Sequence, residues 1–318
     1  RPDNSVNHMA DYPLMTLITY IWSVARTGDM DFASEFYEGY RNMLDNYLSR
    51  KQENGLFDHD RAFIEWTRIN KNAQLTAIQS LMIYALESFA WLAGELGYAE
   101  DSERFRREGF SATEAMHRHC WDPEKGAYRD GFFAGEPIDH HYPISSAWPV
   151  MFGQTTPEQN EKIRDHFVNT LTDIGDRDRE RMATPYGSFY LIEAMYKLGM
   201  TGFAEFYIRK YWSAMIYKHG DTAWENFGDG SDGSGQGTLS HAWSGHPTYF
   251  LSARILGVRQ GFPDFRFHDE IHIMPESQGL SYARGTVAHP LGLVQVDWEV
   301  RGDVLFLDYK APSGVPVK

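Results

Sequence analysis

Two pairs of a carboxylate beside an indole stand out at loop positions in this 318-residue chain, Glu65-Trp66 and Trp224-Glu225. A carboxyl group that can serve as acid or anion, beside a flat ring that stacks on C–H-rich faces, suits cleavage of a glycosidic bond. That reaction needs one carboxylic acid to protonate the leaving oxygen and one carboxylate to attack or to activate water. The second pair opens a run rich in Gly, Ser and Asp, which leads to His241, Trp243 and His246. Glycine lets a backbone turn sharply and approach a ligand closely. The plainer alternative is a surface connection, because Gly-rich polar runs usually only connect. On spacing alone that alternative is favoured, with Trp66 and Trp224 as core residues and each Glu a solvated neighbour.

Other chemistries find little support. No Gly-x-Gly-x-x-Gly follows a strand, and phosphate-loop, His-Glu-x-x-His and Gly-x-Ser-x-Gly motifs are missing from the sequence. The run Asp229-Gly-Ser-Asp232 has the wrong spacing for a calcium loop, so neither metal nor cofactor is expected. A single cysteine, Cys120, excludes an internal disulfide and a cysteine-based zinc site. The formal net charge of −14 argues against nucleic acid, whose phosphates need clustered Lys and Arg. No apolar run is long enough to span a membrane. An aromatic share of 15% supplies rings for stacking and so fits a carbohydrate partner. The compartment is left open between bacterial cytoplasm and periplasm or exterior, and so is self-association as a homodimer. The chain starts Arg1-Pro2-Asp3 without an initiator Met or signal peptide and stops in mid-pattern at Lys318; a piece of a longer polypeptide is expected.

The elements that must position these residues are mostly helical. Apolar residues recur at helical spacing over about 12–26, 31–50, 73–96, 99–119, 143–153, 157–171, 186–199, 201–216 and 238–256. Asp11 and Asp29 read as caps rather than catalysts, and Gly97 ends the third helix. Residues 51–72 form a long aperiodic loop, which is more often functional than idle; residues 120–142 read as a turn with a short hairpin. Helix pairs joined by long loops predict a mainly α fold, an (α/α)6-type toroid incomplete at its N-terminus. After Gly257 the period changes to two, in Glu270–Met274, Leu280–Ala288, Leu293–Val300 and Val304–Tyr309. That predicts an antiparallel β-sandwich without its closing strands. The expected domains are a partial catalytic barrel over 1–258 and a partial β-sandwich over 262–318.

Several motifs, in order, resemble glycoside hydrolase family 78, the bacterial α-L-rhamnosidases. Asp221-Thr-Ala-Trp-Glu-Asn-Phe227 followed by Leu239-Ser-His-Ala-Trp-Ser-Gly245 is similar to that family's Thr-x-Trp-Glu-x-Trp/Phe run and its following His-x-x-x-Gly segment. Asp11-Tyr-Pro-Leu with Thr27-Gly-Asp29 matches an earlier segment. Asn54-Gly-Leu-Phe57 with Phe63-Ile-Glu-Trp66 matches another, with Glu65 where the family usually has Asp. Thr184-Pro-Tyr-Gly187, Tyr211-Trp212 and the closing strands around Pro275, Ala283-Arg-Gly285 and Pro290–Trp298 extend the likeness over nearly the whole chain.

The resemblance implies inverting hydrolysis of terminal α-L-rhamnosyl groups, with Glu225 as the general base that deprotonates the attacking water. It implies that His241 binds sugar hydroxyls or orients Glu225. It also implies that Glu65, Trp66, Tyr186, Trp212 and Trp224 line the rhamnose pocket. One departure is large. The family's general acid lies in an acidic Arg-x-Gly-Trp-x-Gly-Asp segment upstream of these motifs, and no such run is present. Residues 1–318 alone are therefore expected to hydrolyse nothing efficiently. Two alternatives stay open: another α/α-barrel activity, such as a glucuronyl hydrolase or polysaccharide lyase, and an inert sugar-binding scaffold.

Overall fold

The computed structural model describes residues 9–59, 61–66, 69–172, 183–217, 222–227, 237–259, 270–276 and 279–318. Among these are eight helices of nine or more residues: α1 Asp11–Thr27, α2 Met30–Leu48, α3 Thr76–Glu95, α4 Ala99–Cys120, α5 Pro143–Met151, α6 Pro157–Leu171, α7 Pro185–Lys197 and α8 Thr201–Tyr217. The chain divides into two compact units, residues 1–24 with 29–194, and residues 25–28 with 195–318.

In the first unit, buried and amphipathic helices alternate. Nearly every residue of α3 from Thr76 to Ala93 is buried, and so is all of α5. A helix apolar all round belongs inside. Helices α2, α4 and α6 instead bury one stripe; in α6 it runs Gln159, Ile163, Phe167, Leu171, four residues apart. Inner helices paired with outer ones make up the hairpins of an α/α fold, as the periodicity predicts. Their ends obey local chemistry. The Asp29 carboxylate accepts the Phe32 N–H (2.9 Å) to cap α2, and Thr156 with Gln159 forms a reciprocal capping box on α6. Gly97 closes α3 at φ +83°, a conformation only glycine adopts cheaply. Between α4 and α5 the chain makes short antiparallel pairings. β2 Trp121–Asp122 pairs β3 Ala127–Tyr128, while β4 Gly131–Phe133 lies between β1 Gln74–Leu75 and β5 Glu136–Pro137.

In the second unit, the helix expected over 238–256 is broken. Residues Ala242–Gly245 form a 3₁₀ turn, Pro247–Phe250 one α turn and Leu251–Ile255 a π-helical turn. Pro247 has no N–H to continue a helical ladder, so the preceding turn ends there. The β part that follows has a two-stranded pair, β6 Val258–Arg259 with β7 His272–Ile273, and an antiparallel sheet in the order β10–β9–β8. Its strands are β8 Tyr282–His289, β9 Gly292–Arg301 and β10 Val304–Lys310. One face of this sheet, through Val294, Val296 and Trp298, packs on Leu256, Val258, Ile271 and Ile273. The fold class is thus mainly α, followed by antiparallel β. The boundary expected near residue 262 and the Asp229–Asp232 run lie outside the described residues.

Candidate active site

In the first unit the loop over 61–66 is pinned from beneath. Asp11 is fully buried, and its carboxylate accepts the N–H groups of Phe63 (3.0 Å) and Ile64 (2.9 Å). This corrects its reading as a cap: Asp11 anchors a distant loop rather than its own helix. Ile64 has φ +50°, unusual for a β-branched residue, and two hydrogen bonds to an acidic side chain hold it there. The turn sends Glu65 inward and Trp66 outward, with exposures of 0% and 59%. Glu65 Oε1 accepts from the Trp66 N–H and the Thr184 hydroxyl, both at 2.6 Å. Glu65 Oε2 is buried without a hydrogen-bond partner among the described residues and faces Gly187, where a Cβ would stand 2.8 Å from Glu65 Cδ. The Lys71 ammonium donates to the carbonyls of Phe63 and Glu65.

Burial pushes the Glu65 carboxyl up against the opposing bonds from Thr184 and Trp66 and the charge of Lys71. Burial also pulls the Lys71 ammonium down to about 8, with Glu65 the largest opposing influence. The exposed Trp66 ring meets Phe63 edge-on (centroids 5.0 Å apart), and Phe63 packs on Tyr186 (5.3 Å). Tyr186 is half-buried, its hydroxyl within 3.4 Å of the Tyr190 hydroxyl. The first unit therefore brings Glu65, Trp66 and Tyr186 together around Phe63.

In the second unit, two segments are stitched backbone to backbone. The Glu225 N–H donates to the Thr238 carbonyl (2.9 Å) and the His241 N–H to the Ala223 carbonyl (2.8 Å). Side chains add to this. Trp243 Nε1 donates to the Glu225 carbonyl (3.0 Å), Ser244 Oγ to the Trp224 carbonyl, and Trp212 Nε1 to the Ser244 carbonyl (2.8 Å). Trp224 is 1% exposed and sits behind Glu225 in the packed layer; Trp212, also buried, meets Phe227 and His246 edge-on.

Glu225 itself is partly exposed, and one of its oxygens is fully engaged. Oε2 accepts the Thr238 N–H (3.0 Å) and Thr238 Oγ1 (3.1 Å) and lies 3.8 Å from His241 Nδ1. Thr238 Oγ1 is 2.7 Å from the same Nδ1. If the single hydroxyl proton points at the carboxylate, the oxygen accepts from a protonated Nδ1, which fixes the imidazole tautomer. No group among the described residues donates to Oε1. The Thr238 N–H, then the Thr238 hydroxyl and His241, hold the Glu225 carboxyl below the usual glutamate range. Such a carboxylate is ionised through the neutral range and has one oxygen able to take a proton.

Sequence reasoning missed Thr238 and Lys71 and met Thr184 and Gly187 only as parts of a motif, without the positioning roles they have here. One further carboxylate–imidazole cluster, Asp122, Asp139 and His141, is compact enough to share a cation. Asp122, however, already pairs with Arg129 (2.6 Å) and His141 (3.0 Å), and these contacts explain its placement without an ion.

Paired inner and outer helices are the build of an α/α-hairpin fold, and the family match that follows makes it that of a glycosidase. The model of the bacterial α-L-rhamnosidase six-hairpin glycosidase domain matches residues 8–255, and the chain belongs to that family. Among solved structures it is similar to a family-78 rhamnosidase of Bacillus sp. GL1, with 24% identity and a TM-score of 0.82 over 97% of this chain and 33% of that one. A rhamnosidase from Klebsiella oxytoca with rhamnose bound is 26% identical, with a TM-score of 0.65 over 76% of this chain and 46% of that one. The Streptomyces avermitilis α-L-rhamnosidase complexed with L-rhamnose is 17% identical, with a TM-score of 0.73 over 95% and 28%. The chain thus spans less than half the length of each of these proteins. Among curated proteins none matches.

Proposed function

We propose that this chain carries the general base of an inverting α-L-rhamnosidase, and that the base is Glu225. The observation that carries this reading is the asymmetry of its carboxylate: Oε2 is anchored by Thr238, while Oε1 receives no hydrogen bond among the described residues. Water activated at Oε1 attacks the anomeric carbon, and the proton passes to Glu225. His241 acts through the Thr238 hydroxyl and keeps the anion oriented as charge moves. Inversion requires a second carboxyl group about 6.5–9.5 Å from the first, with room for that water. We assign this general acid to a segment of the parent polypeptide outside residues 1–318, because no run of this sequence matches the family's acid motif.

Glu65, Trp66 and Tyr186, with Trp212 and Trp224, are the proposed sugar-binding residues. Trp66 offers its exposed ring to a sugar face, and Glu65, wholly buried with its carboxyl pushed up by that burial, holds the turn that presents the ring. Trp212 and Trp224 support Glu225 from within the packed layer. On this reading residues 1–258 are the catalytic part and 262–318 an accessory β-domain. The rhamnose complexes of similar proteins support the substrate class.

The test is hydrolysis of a chromogenic α-L-rhamnoside by the full parent polypeptide and its Glu225→Gln variant. A positioned base contributes about 10²–10⁴-fold, so kcat should fall by that factor with folding intact. Unchanged activity would place the base elsewhere.

A further inference from the structure

The face of the β8–β9–β10 sheet that points away from the apolar core is itself organised, and no part of the hydrolytic reading uses it. The strand register sets three rows across it. Tyr282, Glu299 and Phe306 are cross-strand partners in the first row, and Arg284, Asp297 and Asp308 in the second. Thr286, Gln295 and Lys310 make the third. Successive residues of a strand point to opposite faces, so these side chains share one side, while Val294, Val296 and Trp298 enter the core on the other.

Between the second and third rows runs a groove of about 330 Å³. Its floor is the backbone of Gly285, Val296 and Tyr309, whose own side chains belong to the opposite face. The walls stand two residues apart along the strands, about 7 Å, and the groove crosses three strands, about 10 Å. Its charges balance: Arg284 and Lys310 oppose Asp297 and Asp308, with Arg284 Nε 2.6 Å from Asp297 Oδ2. Neither a cation nor an anion is preferred by such a lining, whereas a neutral polyol meets alternating donors and acceptors. Beside the groove, Tyr282 and Phe306 are 67% and 50% exposed. Arg301 packs on the Phe306 ring at 5.0 Å and is held by Glu299 at 2.7 Å, which keeps that ring in place.

We propose that this sheet face is a non-catalytic binding site for a neutral carbohydrate chain. Hydroxyl pairs sit between the Arg284–Asp297–Asp308 wall and the Thr286–Gln295–Lys310 wall, and a neighbouring ring lies against Tyr282 or Phe306. The assignment rests on the chemistry of this face and does not depend on Glu225 being the base.

The test is affinity electrophoresis of the whole chain in gels cast with two neutral polysaccharides, xyloglucan and, separately, galactomannan. It compares wild type with Arg284→Ala, Asp308→Ala and Tyr282→Ala, and with Phe110→Ala, an exposed aromatic on α4, as the control. These side chains are exposed, and thermal unfolding checks that each variant is folded. Retardation by at least one polysaccharide, weakened fivefold or more in the three sheet variants and retained in Phe110→Ala, is expected. Equal retardation of wild type and folded sheet variants would overturn the proposal, as would lack of retardation in both gels. Concentration-dependent sedimentation abolished by the same three variants, without polysaccharide retardation, would make the face a protein contact instead.

Discussion

Gly187 is where the packing around Glu65 can be tested as a number. It is the third residue of α7, a position where Ala ordinarily stabilises a helix over Gly by about 0.5–1 kcal/mol. Here a Cβ would stand 2.8 Å from Glu65 Cδ and 3.2 Å from Ala183 Cβ. Glu65 is wholly buried, so it can yield only by giving up the bonds from the Trp66 N–H and the Thr184 hydroxyl. Each is worth about 0.5–1.5 kcal/mol net, and about 1.5–3 where the acceptor is charged. Set against the helix gain, Gly187→Ala should destabilise the chain by about 2 kcal/mol. With Glu65→Ala already present, the same change should be neutral or stabilising, giving a coupling energy of about 2–3 kcal/mol in the double-mutant cycle. Urea unfolding of the four proteins reads this from the midpoints at constant m. A stabilising Gly187→Ala in the wild-type background, or an equal cost in both backgrounds, would refute the packing argument.

Two further predictions concern protons. Thr238→Val removes a hydroxyl donor from Glu225 Oε2, so the proposed base becomes easier to protonate. The acidic limb of the kcat/KM profile of the parent enzyme should move to higher pH, and kcat should fall; an unmoved limb would detach Thr238 from the base. Lys71 binds its proton more weakly folded, at about 8, than unfolded, near 10.5. Between these values the unfolded state holds more protons, so stability rises with pH across that window, and below about pH 8 the cost is felt in full. Lys71→Met should flatten the rise, measured as the unfolding midpoint at pH 7.5, 9 and 10.5.

Much of the helical architecture is legible in the sequence because it rests on local pattern. The spacing of Ile78, Met82, Ala85 and Phe89 marks α3, and Gly97 and Asp29 mark ends that the structure keeps. The strands of the β part are legible from their period of two. The segment over 238–256 misleads because its apolar spacing suits a helix while its hydrogen bonds go elsewhere. The Ser244 carbonyl is taken by Trp212 Nε1, and Pro247 brings no N–H. At the site, the acidic–aromatic pairs are visible as neighbours in sequence. What positions them is not. Thr184 reaches Glu65 across 119 residues, and Asp11 reaches Ile64 across 53. Pairings of that range depend on how helices pack, which a one-dimensional pattern does not encode. Asp11 shows this well: its type and place suggest a cap, and only burial beneath the loop gives it its task.

The stitching between 223–225 and 238–241 holds the proposed base by its backbone. The N–H groups of Glu225 and His241 pair across the two segments, and Trp243 and Ser244 grip the carbonyls of Glu225 and Trp224. None of these four bonds uses the Glu225 side chain. The backbone at this position is therefore fixed independently of the group it carries, and replacing the carboxylate changes the chemistry on offer without changing the frame that presents it.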